Sequence, residues 1–387
     1  MKRMRFKLIF IVLAVFSVTL FGACGGGTAE TIPAPSSISS ATSEPATPAP
    51  QTTATSAPQC TPSSTANPQL SADSCFYPWV VYWDNETAIS ESSSLSSVMG
   101  SISIFAAYFN ENDGIIFPQS SEDTLQIVRD AYGTTLETYL TFVNDIKYSN
   151  GKSSLKDADL LRRLFSSQSR MDAHIDEIIS LTKAKGCGGI EIDYENIKGD
   201  DALWQLYAQF LTALKDKAAG EGLKLRIVLE TSALTKASFP AGPEYVIMLY
   251  NLYGNHSQEP GPKADEAFIS GTAAQSVCLG PNVCFAFSAG GFDWSSSGEI
   301  VSLNEKDAAQ LAADTNSTPV RDPYSGALSF TYQNEAVHTV WYADGETLCF
   351  WIKTAQEAGI KNFAFWRLGG NSDESLRQVA AYLSGQN

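Results

Sequence analysis

The chain has 387 residues, of which 44% are hydrophobic and 11% aromatic, and this composition excludes a wholly disordered protein. Asp and Glu number 42 against 26 Lys and Arg, which gives a formal net charge of -16 at pH 7. No run of basic residues follows the first seven positions, so we expect no nucleic-acid partner. The three histidines share no helical spacing with each other or with a cysteine, and we expect neither a metal nor an organic cofactor.

The N-terminus has the pattern of an export signal. Four basic residues lie within the first seven positions, a mostly apolar stretch covers residues 8–21, and Gly22-Ala23-Cys24 follows. The apolar stretch is shorter than the ~18 residues that a membrane-spanning helix needs. The segment resembles a bacterial lipoprotein signal, with Phe21 at the position where such signals usually carry Leu. It predicts a signal peptide over 1–23, lipidation of Cys24, and a protein anchored by lipid at the extracellular face of the cell membrane.

Residues 24–75 predict a linker that follows the lipidated cysteine. Between positions 25 and 74 there are eight prolines, 19 Ser or Thr, three charged residues and no aromatic residue. Such a composition cannot bury enough apolar surface to form a core. A flexible coil of this length has an r.m.s. span of ~40 Å, which is enough to hold a folded domain away from a membrane.

Six cysteines remain once Cys24 is assigned to lipid. In an exported protein the sequence-near pairs Cys60/Cys75 and Cys278/Cys284 are candidates for disulfides. Cys187 and Cys349 lie within apolar segments, where a free buried thiol is an equal alternative. The sequence leaves the connectivity open.

From Phe76 onward, short apolar runs alternate with longer amphipathic ones, which indicates strands alternating with helices and hence a parallel sheet. Eight such units over 76–387 predict a (β/α)₈ TIM barrel, with a small β-hairpin over 328–332 and 337–342 inserted before the last helix and strand. A doubly wound open sheet is the alternative, but no glycine-rich loop follows the first strand. The predicted strands are Trp79–Trp83, Ile102–Phe109, Thr138–Val143, Gly188–Asp193, Leu223–Glu230, Tyr245–Tyr250, Val283–Phe287 and Asn362–Trp366.

The fourth predicted strand is unusually acidic. In Gly188-Gly189-Ile190-Glu191-Ile192-Asp193-Tyr194-Glu195 the three acids occupy alternate positions, so they point to one face of the sheet. Acids are depleted in strands, and burying three like charges costs several kcal/mol unless something compensates. The pattern therefore indicates a functional site.

The rise of a strand sets the expected spacing of these acids. Asp193 and Glu195 should lie ~6.6 Å apart, with Glu191 ~13 Å below Glu195, which places Glu195 at the carboxyl-end mouth where barrel enzymes hold their active sites. Neighbouring acids disfavour each other's ionisation, so Glu195 can keep a proton and act as a general acid. In an ordinary glycosidase, two carboxylates flank the sugar that is attacked. Here both carboxyls approach from one side, so the nucleophile must come from elsewhere. For a sugar with a 2-acetamido group, the oxygen of that group is the economical candidate.

The acidic octet resembles the D-G-x-D-x-D-x-E strand of glycoside hydrolase family 18, the chitinase-like barrels. Met248-Leu249-Tyr250-Asn251 resembles the M-x-Y-D of the sixth strand of that family, and Phe365-Trp366-Arg367-Leu368-Gly369 resembles its eighth strand. The segments 105–109 and 141–145 further resemble the branch of spore-cortex and cell-wall N-acetylglucosaminidases. The likeness covers most of residues 76–387.

This resemblance implies a role for each matched residue. Glu195 would protonate the glycosidic oxygen, Asp193 would orient the acetamide, and Tyr250 would hydrogen-bond its carbonyl. Trp366 would form the apolar floor under the sugar. Three positions depart from the family pattern: Gly188 replaces its first Asp, Glu191 replaces the second, and Asn251 replaces the Asp after Tyr250. Glu191 keeps the negative charge, and the resemblance implies a catalytic role for it as the group that takes up a proton from Asp193.

Further substrate contacts are expected at the predicted strand ends. These residues are Met248 and Asn251 of the second motif, the aromatic Tyr82, Tyr108 and Trp294, and the polar Asn144 and Asp293. The sequence thus predicts a monomeric hydrolase that cleaves β-1,4 bonds in N-acetylglucosamine-containing polysaccharide by substrate-assisted retention. Peptidoglycan is the first expected substrate and chitin the second. One alternative is a lectin-like glycan-binding lipoprotein on the same barrel, and another is a solute-binding lipoprotein.

Overall fold

In the computed structural model, which describes residues 76–386, eight parallel strands close into a barrel. Each strand pairs with the next along the chain, and the eighth pairs with the first through Phe76 and Phe363, so the sheet has no open edge. The predicted signal peptide, Cys24, the linker, and Cys60 and Cys75 lie outside the described residues. The barrel strands are β1 Phe76–Val81, β2 Ser101–Phe109, β3 Glu137–Lys147, β4 Gly189–Asp193, β5 Lys224–Glu230, β6 Glu244–Met248, β7 Val283–Phe287 and β8 Asn362–Phe365.

All eight predicted strands are present, and the (β/α)₈ barrel is confirmed. Several bounds differ: β1 begins earlier, at Phe76, and β3 continues to Lys147. At the carboxyl ends, β1, β6 and β8 end earlier than predicted, at Val81, Met248 and Phe365. Trp83, Tyr250 and Trp366 therefore follow their strands instead of closing them. Their side chains lie at the mouth of the barrel, and Trp366 N still donates to Phe287 O of the neighbouring strand at 2.9 Å.

Helices connect the strands and cover the outside of the barrel. In helix α5, Asp201–Gly220, the buried residues Leu203, Tyr207, Phe210, Leu211 and Leu214 form an apolar stripe, and Asp200 Oδ1 caps the helix by accepting from Leu203 N at 2.9 Å. The helices are α1 Asn85–Ser92, α2 Gln119–Tyr132, α3 Ala158–Leu164, α4 Gln168–Ala184, α5 Asp201–Gly220, α6 Glu266–Ser276, α7 Glu305–Asp314, α8 Gly345–Glu357 and α9 Asp373–Leu383, with 3₁₀ turns at Ser93–Leu95, Thr231–Thr235 and Val277–Leu279. Across residues 76–386, no helix combines the length and apolar character needed to cross a bilayer.

The cysteines of the described range are all placed. Cys187 is a buried thiol and Cys349 is half-buried, and neither forms a disulfide with another described residue. Cys284 is buried in β7 and Cys278 is exposed in the turn before it, and their pairing stays a prediction.

An insertion between β7 and α8 is larger than the sequence predicted. The expected hairpin is confirmed, and it belongs to a five-stranded antiparallel sheet that packs on α7 around Phe330, Val340 and Tyr342. Gly291 permits this packing, because a Cβ there would overlap the Trp341 carbonyl oxygen. The strands of this insertion sheet are Gly290–Ser295, Ile300–Leu303, Val320–Arg321, Leu328–Gln333 and Val337–Ala343. Elsewhere, the two-residue strands Ile115–Ile116 and Ser153–Ser154 pair antiparallel with β2 and β3.

The lower part of the barrel interior contains a buried ion pair. Arg226 Nη1 lies 3.2 Å from Glu191 Oε2, and both side chains are almost fully buried. The Glu191 carboxylate also accepts hydrogen bonds from Trp79 Nε1 at 2.5 Å, Ser103 Oγ at 2.8 Å and Thr141 Oγ1 at 2.6 Å. Every lone pair of this buried acid therefore has a donor, as a buried charge requires.

Removing the positive partner should destabilise the barrel strongly. We expect Arg226→Met to lower the free energy of unfolding by about 3–5 kcal/mol, because it leaves the Glu191 charge buried without a cation. Urea denaturation followed by tryptophan fluorescence measures this change. Combining Arg226→Met with Glu191→Gln should recover part of the loss.

A surface ion pair supplies the matched control. Lys224 Nζ lies 2.7 Å from Glu137 Oε2, with side chains that are 64% and 30% exposed. Lys224→Met should cost only about 0–1 kcal/mol. If Arg226→Met and Lys224→Met lowered the free energy of unfolding equally, the interior ion pair would contribute no more to stability than the exposed one.

Candidate active site

Strand β4 brings the predicted acids into the barrel. Ile190, Ile192 and Tyr194 are buried in the core between barrel and helices, while Glu191 and Asp193 occupy the alternate, interior face. A Cβ on Gly189 would overlap the Tyr139 ring, so glycine is needed where that ring stacks over Arg226. Glu195 lies two residues beyond the end of β4, at the mouth.

Asn144 fixes the backbone of Glu195. Its Nδ2 donates to the Glu195 carbonyl oxygen at 3.0 Å, and its Oδ1 accepts from Glu195 N at 2.9 Å. The Asn144 side chain is buried, so the role expected for it, a contact to sugar hydroxyls, is corrected. The amide is used instead to hold the predicted general acid in position.

Lys156 forms an ion pair with Glu195. The distance from Lys156 Nζ to Glu195 Oε2 is 2.7 Å, and the two side chains are 50% and 11% exposed. Two hydrogen bonds fix the backbone of the lysine: Asp145 Oδ1 accepts from Lys156 N at 2.7 Å, and Asn196 Nδ2 donates to Lys156 O at 3.0 Å. Burial raises the pKa of Glu195, and the Lys156 charge and hydrogen bond oppose that rise.

Asp193 is the acid without a compensating partner. Its Oδ1 is buried and has no hydrogen-bond partner among residues 76–386. Burial raises the pKa of Asp193 well above its ordinary value, and the charge of Glu195 raises it further, against an opposing effect of Lys156. A buried carboxyl oxygen that lacks a donor is a place where a ligand N–H or O–H can bind.

Tyr250, Asn251 and Trp366 share one cavity of about 370 Å³. One wall comes from the carboxyl end of the barrel and the other from the insertion sheet and α7, including Phe292, Ser302 and Asn304. Burial raises the pKa of Tyr250, and the charges of Asp193 and Glu195 raise it further, so its hydroxyl stays protonated beside the two acids. The two acids are not among the residues that line the cavity, but their charges act on Tyr250, which does line it.

The remaining aromatic candidates form the rim and floor of the mouth. Trp366 packs edge-on against Trp79, with ring centroids 5.8 Å apart, and against Phe105 at 4.9 Å. Trp83, 51% exposed, continues this row toward solvent. A second group surrounds Lys147 Nζ, which lies 3.5 Å from the centroid of the Tyr108 ring and 4.9 Å from that of Tyr82.

Three predicted substrate contacts do not line the cavity. Met248 is buried in the small core inside the barrel. Asp293 is in the insertion sheet, where it accepts from Tyr332 Oη at 2.6 Å and contacts His338 Nδ1 at 3.0 Å. Trp294 is buried and donates to Ser257 O at 3.3 Å. For Asp293 and Trp294 we correct the expectation of a place at the mouth, because these side chains are occupied by partners within the insertion and its neighbouring loop.

Two lysines were missed by sequence reasoning. Lys156, which pairs with Glu195, and Lys263, which lines the cavity, stand in loops without any recognisable motif. A search for cations in a strongly acidic chain could have raised them as candidates, but nothing in the sequence assigns either a partner.

The arrangement supports acid chemistry at Glu195 and ligand binding at Asp193. Glu195 has a raised pKa, is fixed through its backbone and lies at the mouth, which are the properties of a general acid. Asp193, Tyr250 and Trp366 supply an unpaired carboxyl oxygen, a protonated hydroxyl and an aromatic face. Together these groups suit a ligand with an amide and an apolar face.

Parts of this chain are similar in sequence to curated proteins. No family model matches it. An uncharacterized glycosylase, YvbX, of Bacillus subtilis (strain 168) is 24% identical over 241 residues, which is 58% of this chain and 69% of that protein. A putative sporulation-specific glycosylase of the same strain, YdhD, is 22% identical over 212 residues, and the match spans half the length of each.

The barrel is also similar to solved structures. The chitinase from Chromobacterium violaceum ATCC 12472 has a TM-score of 0.67 and 18% identity, covering 80% of this chain and 99% of that one. The Bacillus cereus spore cortex-lytic enzyme SleL has a TM-score of 0.65 and 16% identity, covering 80% of this chain and 74% of that one. At these identities the likeness establishes a shared fold.

Removing Lys156 should change the pH dependence of any reaction that needs protonated Glu195. We expect Lys156→Met to raise the pKa of Glu195, because the ammonium that stabilises the ionised carboxylate is lost. The acid then stays protonated to higher pH, so the basic limb of the kcat/KM profile on an N-acetylglucosaminide reporter should move upward. The control is Lys152→Met, which removes an exposed charge from the same loop. An unmoved basic limb in Lys156→Met would exclude this ion pair from control of the acid.

Proposed function

We propose that the chain is a glycoside hydrolase that cleaves β-1,4 bonds after N-acetylglucosamine residues, in peptidoglycan-type glycans before chitin. The observation that carries this proposal is the pair formed by buried Asp193, with an unpartnered Oδ1, and Glu195, whose pKa is raised at the mouth. The glycosylase and chitinase descriptions of the similar proteins support the same class of reaction. The monomeric state is part of the proposal.

The reaction proposed here is retaining and uses the acetamide of the substrate. Glu195 gives its proton to the glycosidic oxygen as the bond from that oxygen to C1 breaks, and the leaving sugar departs with a free hydroxyl. The acetamide carbonyl oxygen forms the new bond to C1, which gives a cyclic oxazolinium ion. Asp193 accepts the acetamide N–H and Tyr250 donates to the acetamide oxygen. Water activated by ionised Glu195 then attacks C1 and restores both the acetamide and the protonated acid.

Replacing the proposed general acid should remove turnover. We expect Glu195→Gln to lower kcat by roughly 10²–10⁴-fold, since the amide cannot donate the required proton. The measurement is hydrolysis of an N-acetylglucosaminide reporter, with thermal unfolding to verify the fold. Glu299→Gln, a change at an exposed carboxylate of the insertion, is the matched control. Undiminished hydrolysis by Glu195→Gln would remove Glu195 from the mechanism.

Digestion of two polymers distinguishes the substrates. Purified peptidoglycan and chitin are incubated side by side with the wild-type protein, and the new reducing ends are identified by mass spectrometry. The proposal expects N-acetylglucosamine at the reducing ends released from peptidoglycan. Products from chitin alone would reverse the order of preference.

Two observations favour a second function, a lectin-like glycan-binding protein. The ion pair between Glu195 and Lys156 occupies the proposed acid, and Asn251 is neutral where the resembled family has an acid. A binding protein needs neither a free proton nor an additional carboxylate. Binding of chitooligosaccharides without release of products, at every pH where the protein is folded, would support this function over hydrolysis.

The proposal includes attachment to the outer face of the cell membrane through Cys24. Its support is the order of basic, apolar and small residues that precedes this cysteine. We expect the wild-type protein in the membrane fraction of cells that process lipoproteins, and Cys24→Ser in the soluble fractions, because the lipid supplies the affinity. Fractionation followed by immunoblotting measures this distribution, and identical distributions of the two proteins would contradict the anchor.

A further inference from the structure

Lys263 is a positively charged residue in the cavity that has no acidic partner. Its Nζ donates to Ser288 Oγ at 3.0 Å and to Ala289 O at 2.8 Å, both of which are neutral acceptors. No carboxylate among residues 76–386 forms an ion pair with it, although the chain has 42 acids. Because an ammonium has three donors, one N–H of Lys263 remains for a ligand.

The surroundings of Lys263 make this lack of a partner costly. The side chain is half-buried and its ammonium lies 5.6 Å from the centroid of the Phe292 ring. Burial lowers the pKa of Lys263 to about 7, with no negative charge to offset it. A cation held in such a place is stabilised when an anion binds beside it.

Hydrogen bonds fix both the backbone and the ammonium of Lys263. Leu252 N donates to Lys263 O at 3.0 Å, which ties the residue to the loop after β6, and the ammonium reaches the segment that follows β7. The same cavity contains Tyr250 and Trp366. A molecule with one sugar on Trp366 can therefore present a neighbouring group to Lys263.

We propose that Lys263 binds a carboxylate carried by the sugar next to the one that lies on Trp366. The proposal rests on the proposed glycan substrate and adds a charge requirement to it. The ligand class is a polymer in which N-acetylglucosamine alternates with an amino sugar that has a free carboxylate. In such a polymer, a neutral sugar at the cleavage position always has an acidic neighbour. Neutral chitin chains lack the group that Lys263 would bind.

Binding to a catalytically silent protein tests this without relying on hydrolysis. The probes are amidase-treated peptidoglycan strands with free lactyl carboxylates, and the same strands after methyl esterification. In the Glu195→Gln background we expect the acid form to bind roughly 10- to 100-fold more tightly than the ester, the range of a charge-assisted hydrogen bond. Calorimetry measures both dissociation constants.

Variants at Lys263 distinguish recognition from a structural role. In the same background, Lys263→Met should abolish the preference for the acid form and leave ester binding unchanged, whereas Lys263→Arg should retain the preference. Lys353→Met, which removes an exposed charge from α8, should leave it intact. Equal affinity of the unmodified Lys263 protein for acid and ester, or equal weakening of both by Lys263→Met, would overturn the proposal.

The pH dependence gives a test that needs no change at Lys263. The other titratable groups that line the cavity are Tyr250, the exposed Asp307 on α7, and Arg367, which pairs with Asp84 Oδ2 at 2.8 Å. As Lys263 loses its proton with rising pH, the preference for the acid form should fall, while ester binding stays level. A preference that is constant from pH 6 to 9 would contradict the assignment. If the wild-type protein hydrolyses no glycan while the preference depends on Lys263, the proposed hydrolase fails and the charge requirement stands.

Discussion

Strand β4 and the residues just after it bring three acids, Glu191, Asp193 and Glu195, into largely buried positions, and the interior of the barrel is organised around the cost of burying them. Glu191 is compensated most completely, by Arg226 and three neutral donors. Glu195 is compensated by one lysine that is half exposed to solvent. Asp193, between them, has an oxygen with no partner. The compensation is therefore weakest at Asp193, and its unpartnered oxygen marks the point where a ligand can supply the missing donor.

The fold could be predicted from the sequence because its signal is local and repeated. Each barrel strand is a short apolar run, each helix an amphipathic stretch, and eight repetitions leave few other architectures. The acidic strand could be predicted for the same reason, since alternation fixes which side chains share a face. The insertion sheet was underestimated because Gly290–Ser295 is rich in small and polar residues, a composition also typical of loops, and Ile300–Leu303 has only 4 residues.

The pairing of side chains could not be predicted, because it depends on segments that are distant in sequence. Glu191 and Arg226 belong to different strands, and Glu195 meets Lys156 from a loop 39 positions earlier. Asn144 is a polar residue near a strand end, as a substrate contact would be, but its amide matches the backbone of Glu195. The same holds for Asp293, whose acceptors are used by Tyr332 and His338. Residue type and strand position identify a candidate, and only tertiary contacts decide its role.

The two walls of the cavity pack around different hydrophobic clusters. The barrel supplies Tyr250 and Trp366, while the opposite wall comes from a sheet and helix with their own core at Ala308, Phe330 and Val340. Because that core shares no residue with the one inside the barrel, substitutions there can reshape the wall without moving the acids. Sequence changes in the insertion can therefore alter the outer wall of the cavity, while the strand that carries the buried acids stays the same.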